Sequence, residues 1–161
     1  MQGYKPGSIV LLQGVFGAGA LKKLKVAKGM LVFVCEGRPS LEAGKVNSKA
    51  LLARGITPTV ICDNMAGFLF FKDMVKEVYL ACQYADAGGA LCDTGALICA
   101  VLAKRHNVPL KLMPAKHKTR FLGNPEDIVS FEGVRITPKG TKGYVPLVEW
   151  VPGKYLCKKS K

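Results

Sequence analysis

Ile9-Val10-Leu11-Leu12, running into Gln13, Gly14 and then Gly17, is the first of four short apolar runs in this chain. The others are Leu31-Val32-Phe33-Val34-Cys35 ahead of Glu36, Thr59-Val60-Ile61-Cys62 ahead of Asp63, and Val78-Tyr79-Leu80-Ala81-Cys82, with Asp86 beyond it. A continuous Val/Ile/Leu run signals a strand covered on both faces, as in a parallel sheet, and the ligands of such sheets lie in the crevice beyond the strands' carboxyl ends. Each run stops at a turn residue or a carboxylate. The repeat therefore predicts that polar side chains gather along one edge of a sheet.

Working outward, the segments between the runs have the length and pattern of crossover helices. Residues 18–28 carry Ala20, Leu24 and Ala27 on one side and Lys22, Lys25 and Lys28 on the other, and residues 41–54 and 64–76 are similar. These predict right-handed βαβ crossovers. The most apolar helix is expected over residues 91–105, where Leu97, Ile98, Val101 and Leu102 leave almost no polar face before Lys104 and Arg105, so it should be covered on every side. Asn107 and Pro109 end it, and residues 109–113 supply a fifth strand. Beyond Pro114 the frequency of Pro, Gly and Lys, as in Lys139, Gly140, Lys142 and Gly143, predicts loops and short edge strands, and the tail Lys158-Lys159-Ser160-Lys161 reads as frayed. The expected class is α/β, a mostly parallel sheet flanked by helices in three layers, in a single domain over residues 1–161.

Composition sets the outer limits. A chain of 161 residues suits one domain with a sizeable core. Its 49% hydrophobic content excludes disorder, and no apolar stretch reaches the roughly 20 residues of a membrane span, so no membrane partner is expected. The charge of +13, from 24 Lys and Arg against 11 Asp and Glu, attracts polyanions, phosphorylated small molecules and acidic partners without choosing among them. Lys5, the apolar residues 9–16 and Ala18-Gly19-Ala20 imitate a signal peptide, but Gln13 and Gly14 interrupt it and cleavage after Ala20 would remove the first strand. Of six cysteines, Cys35, Cys62 and Cys82 end strands while Cys92 and Cys99 fall in the apolar helical run, where a free thiol acts as a small buried hydrophobe; a cytoplasmic location follows. No CxxC or Cys/His spacing suggests zinc, and neither metal nor cofactor is expected.

Several positions carry candidate chemistry. Gly17, Ala18 and Gly19 open the first helix after a strand, where backbone N–H groups favour an anion; a tight turn with close helix packing explains them equally, since GxGxxG spacing and a Walker lysine are absent. Glu36 and Arg38 sit at the second strand end, and Arg38 either binds phosphate or pairs internally with Glu36 or Asp63. Asp86, followed by Gly88 and Gly89, is either a general acid or base or the cap of a turn, the glycines letting a ligand approach the backbone. Asp93 is expected in the first turn of the apolar helix, favoured by its dipole. His106 should close that helix, and His117 lies in the basic loop Lys116-His117-Lys118-Thr119-Arg120, a solvated face or a phosphate holder.

Four elements carry a resemblance: Glu36-Gly37-Arg38-Pro39, Gly55-Ile56-Thr57-Pro58-Thr59-Val60, Cys62-Asp63-Asn64-Met65-Ala66, and Ala85-Asp86. Together with Ala100-Val101-Leu102-Ala103-Lys104 and the closing Val145-Pro146-Leu147-Val148-Glu149-Trp150-Val151-Pro152, they resemble the C-terminal domain shared by methylthioribose-1-phosphate isomerase, ribose-1,5-bisphosphate isomerase and the α, β and δ subunits of eukaryotic initiation factor 2B. The resemblance implies a Rossmann-like sheet, a homodimer formed through this domain, and a phosphosugar or nucleotide at the strand ends, with Asp63, Asn64, Cys92 and Asp93 joining the glycines, Glu36 and Arg38 as ligand-binding positions. It also implies departures. The isomerases' catalytic Cys falls at Phe16, which cannot transfer a proton; their Asp falls at Asp86, followed by a loop about three residues shorter; an Asn-Lys pair expected at the ligand reads Cys92-Asp93; and the family's N-terminal helical domain does not precede residue 1.

These losses favour a binding or regulatory module for a phosphorylated sugar, a nucleotide or a partner chain, because one proton carrier alone is worth a hundred- to ten-thousandfold in rate. The competing expectation is an active aldose–ketose phosphate isomerase using Asp86 with Glu36, Asp63 or Cys92. Nucleic-acid binding, suggested by the charge, is not favoured, for want of an RNP-like aromatic motif or a helix-turn-helix pattern.

Overall fold

The computed structural model describes residues 5–156; the frayed tail expected at 158–161 lies outside them. In chain order the elements are β1 Ile9–Gln13, α1 Ala18–Lys23, β2 Leu31–Cys35, α2 Glu42–Leu52, β3 Pro58–Ile61, α3 Ala66–Phe71, β4 Val75–Asp86, β5 Gly89–Asp93, α4 Ala96–Arg105, β6 Leu110–Pro114, α5 Glu126–Val129, β7 Ser130–Phe131, β8 Val134–Arg135, β9 Val148–Pro152 and α6 Gly153–Leu156. The main sheet runs β3-β2-β1-β4-β5-β9, with β6 also on β4. Strands β1, β2, β3, β4 and β6 are mutually parallel, and β5 and β9 extend the sheet antiparallel.

The apolar runs divide by strand alternation between two cores. Ile9, Leu11, Phe33, Cys35, Val78 and Leu80 face one cluster, which takes in residues of α3 and α4. Val10, Leu12, Val32, Val34, Tyr79 and Ala81 face the other, with Leu21 of α1 and Leu51 of α2. A strand that feeds both cores has no room for polar alternation, which is why these runs are continuous. The three-layer α/β, Rossmann-like expectation holds.

Element boundaries differ in informative places. The predicted helix over 18–28 ends at Lys23, and that over 64–76 contracts to a single 3-10 turn, Asp63–Met65, followed by α3. The helix expected from residue 91 starts only at Ala96, because residues 89–93 turn back on β4 as a hairpin and pair on their other side with β9. Cys92 is accordingly a strand residue, not a helical one. Nor is α4 covered on every side: it buries Ala96, Cys99, Ala100 and Ala103 but leaves Ile98 59% exposed. No described helix is long and apolar enough to cross a membrane.

Candidate ligand site at the strand ends

The strand order reverses between β1, whose neighbour on one side is β2, and β4 on the other, the position where parallel sheets open a crevice. A cavity of about 140 Å³ lies there, its walls including Gln13, Gly14, Arg38, Glu42, Asp93 and His117. Buried polar side chains fix its loops. Asn47 of α2, fully buried, accepts from Phe16 N–H (3.1 Å) and donates to the Gly14 carbonyl (2.8 Å), pinning the chain as it leaves β1. The Asp63 carboxylate accepts from the N–H groups of Gly37 (2.9 Å) and Arg38 (2.8 Å), holding the loop after β2.

Asp93 closes the opposite wall. One oxygen accepts from Val15 N–H at 2.8 Å and the other from Gln83 Nε2 at 3.0 Å. Gln83 reaches it through a bulge: Cys82 pairs with Cys92 and Tyr84 with Leu91, so Gln83 is the extra residue, and its oxygen accepts from Thr119 N–H. Gly14 (φ +90°) passes so close that a Cβ there would meet Asp93 and Ala81. Burial disfavours the charged form and raises the Asp93 pKa, an effect that the Val15 and Gln83 hydrogen bonds and nearby His117 partly offset. Glu42 accepts from Lys116 Nζ at 2.9 Å, with His117 Nε2 at 3.6 Å. The Arg38 guanidinium stands 5.0 Å over the Phe131 ring. The wall thus carries Arg38 and His117 together with two carboxyl groups, Glu42 and the raised-pKa Asp93, a mixed basic and acidic set within one hollow suited to a small polar molecule.

The sequence-derived candidates distribute unevenly. Arg38 and Asp93 line the cavity, and Asp63 braces it from behind. Gly17, Ala18 and Gly19 do not line it, and the Gly17 N–H donates to the Pro114 carbonyl, just as those of Val15 and Phe16 ahead of it are taken by Asp93 and Asn47. Glu36 and Asn64 also lie off the cavity, Glu36 beside the exposed thiol of Cys62. Arg38 forms no ion pair with Glu36 or Asp63 among the described residues; only its backbone meets Asp63. Asp86 lies at the hairpin tip, four positions beyond the parallel part of β4, accepting from Tyr84 O–H and Gly88 N–H. Gly88 and Gly89 serve that turn, and a Cβ on Gly89 would strike the Val151 carbonyl and the Trp150 ring. Cys92, on β5 of the hairpin, is buried in the core. Asp93 ends β5 rather than opening a helix.

Sequence reasoning places Gly14 at the sheet edge as the end of the first run, but passes over Gln13 and Glu42 as wall residues and Asn47 and Gln83 as supports. Gln13, a polar residue interrupting an apolar run, is the available signal for the first of these. His106 closes α4, and His117 lies in the loop that meets the cavity. No cluster of three or more His, Cys, Asp or Glu that could hold a metal occurs among the described residues.

Residues 18–158 match the Initiation factor 2 subunit family. The chain belongs to that family. Its similar relatives include methylthioribose-1-phosphate isomerases: one from Thermus thermophilus is 31% identical over 137 residues, covering 78% of this chain and 42% of the relative, and that of Carboxydothermus hydrogenoformans is 29% identical over 159 residues, covering 91% and 44%. This family member thus spans less than half the length of those relatives. Among solved structures, the fold is similar to the translation initiation factor eIF-2B subunit delta of A. fulgidus (TM-score 0.78, 22% identity, 94% of this chain and 51% of that one). It is also similar to the 5-methylthioribose 1-phosphate isomerase of Pyrococcus horikoshii (TM-score 0.74, 21% identity, 94% and 49%).

Proposed function

We propose that this domain is a non-catalytic member of the family that binds a phosphorylated sugar or nucleotide in the cavity beyond β1 and β2, and that it acts as a homodimer. The observation carrying the first part is Phe16. At the position where the resemblance puts the isomerases' cysteine, this side chain is 0% exposed and packed into the core with Leu12, Leu21 and Leu24, where it neither reaches a ligand nor exchanges a proton. Asp86, the other position implied by the resemblance, is exposed at the hairpin tip with both carboxylate oxygens engaged in the turn. Binding is supported by the braced loops at the strand ends, with Asp63 holding the Arg38 loop and Asn47 holding the β1 loop.

A second reading, aldose–ketose isomerisation, has one observation in its favour: the raised pKa of Asp93 inside the cavity is a property of proton carriers. One experiment separates the two. Purified protein is incubated with methylthioribose 1-phosphate and with ribose 1,5-bisphosphate while ketose formation and thermal stabilisation are followed. The expected outcome is stabilisation by at least one phosphosugar or by a nucleotide, abolished in Arg38→Ala, with no turnover. Turnover that disappears in Asp93→Asn or Asp86→Asn would establish the isomerase instead, and the absence of stabilisation by any of these ligands would overturn the binding reading.

A further inference from the structure

A larger hollow lies on the other edge of the sheet. A groove of about 880 Å³ runs past the starts of β2 and β3, and its walls carry Lys22, Lys23, Lys25, Lys28 and Arg54 with no carboxylate among them. It continues into a second hollow of about 340 Å³ that shares Lys23, Leu24 and Lys25 and ends at Lys111 on β6. The four lysines, Lys22 and Lys23 at the end of α1 and Lys25 and Lys28 in the loop to β2, are exposed and form no ion pair among the described residues, whose salt bridges use other cations. Arg54 is different. Its guanidinium donates to the carbonyls of Leu21 and Leu24, fixing the turn that presents the lysines. The floor between the cations is aliphatic, made by Val26, Met30, Leu31 and Ile56.

We infer that this groove docks an acidic polypeptide segment of a partner protein, its carboxylates meeting the lysine rim and aliphatic side chains lying on the floor. Charge complementarity fixes the sign, because uncompensated cations bordering a concave surface focus a positive potential into it. The aliphatic floor excludes a purely ionic guest, which would leave Met30 and Ile56 uncovered. A single-stranded nucleic acid fits less well, since such sites stack bases on aromatic faces. The ring that borders the groove, Tyr79, is 6% exposed and already covered by Lys111 Nζ at 5.1 Å. A lipid surface is flat and cannot enter a concavity. The groove lies at the amino-terminal ends of the strands, so its occupant is independent of any ligand in the cavity at their carboxyl ends.

The test uses a fluorescein-labelled peptide of Glu and Asp carrying two leucines, read by anisotropy at low and physiological salt. The expected result is saturable binding that weakens with salt, weakens severalfold when both leucines become serine, and falls about tenfold in Lys22→Glu/Lys25→Glu/Lys28→Glu. The charge-matched control Lys139→Glu/Lys142→Glu/Lys154→Glu should lose less than about threefold, with circular dichroism checking the fold of both. Carbodiimide cross-linking of the peptide to the unmodified protein, mapped by mass spectrometry, should mark Lys22, Lys25 or Lys28 and so does not depend on the variants folding. Equal losses in the two triple variants, cross-links scattered over other lysines, or no binding would overturn the inference. So would tighter binding of a single-stranded RNA or of phosphatidylserine vesicles through the same lysines.

Discussion

Asp93 and Asn47 are both polar residues drawn inward, and they behave oppositely on perturbation. Asp93 gains two hydrogen bonds but loses more to desolvation, so its folded pKa lies above the ordinary carboxylate value. The folded state then holds this proton more tightly than the unfolded chain does. The contribution to stability is full below the ordinary carboxylate pKa and is lost as pH rises through the raised folded value. Urea unfolding from about pH 4 to about pH 8 should therefore show wild type losing ground to Asp93→Asn as pH rises, whatever constant offset the new amide introduces, and a pH-independent difference would contradict this. Asn47 is neutral, and its case is simpler. Removing its amide in Asn47→Ala strands the Phe16 N–H and the Gly14 carbonyl in a dry interior, which should cost about 3 kcal/mol by denaturant titration at any pH in that range.

At the scale of elements, the hairpin β4–β5 and the strand β9 decide the shape of the site. Glu149 of β9 accepts at one oxygen from the N–H groups of Gly95 (2.7 Å) and Leu97 (2.8 Å), so an edge strand caps the amino terminus of α4, where a negative charge is favoured. Glu149→Ala should lower stability by about 1–2 kcal/mol in urea, whereas Glu149→Gln, which keeps an acceptor, should retain most of it. This arrangement also marks what is legible in the sequence. The four parallel strands and β6 can be read because covered strands write their burial locally, as continuous aliphatic runs. The hairpin cannot: Leu91-Cys92 joins smoothly onto the apolar pattern of α4, and what makes residues 89–93 a strand is pairing with Val148–Pro152, more than fifty positions away. The site suffers in the same way. Arg38 and Asp63 follow runs whose ends are visible locally, whereas β4 does not stop at Cys82 as its apolar run suggests: only its parallel pairing ends there, and the strand continues through Asp86 into the hairpin, carrying Asp86 away from the cavity.

For the whole molecule, the open balance is apolar surface. α3 and α4 contact one another and leave Phe68, Phe71 (73% exposed), Ile98 and Val101 facing outward, with Lys72 Nζ 5.9 and 5.3 Å from the two phenylalanine rings. Covering a large aliphatic or aromatic side chain is worth about 1.5–3 kcal/mol, and a two-fold axis through this face would cover each of them twice over in the pair. That is the physical basis of the homodimer proposed above, and it places the contact on the helical layer, away from both the strand-end cavity and the lysine groove. Light scattering at micromolar concentration should give twice the chain mass for the wild type and the single-chain mass for Phe71→Asp/Ile98→Asp. The variant should keep its far-ultraviolet circular dichroism, since both positions are solvent-facing within one chain. A wild type that stays monomeric at those concentrations would overturn the homodimer, and a variant that stays dimeric would move the interface away from this face.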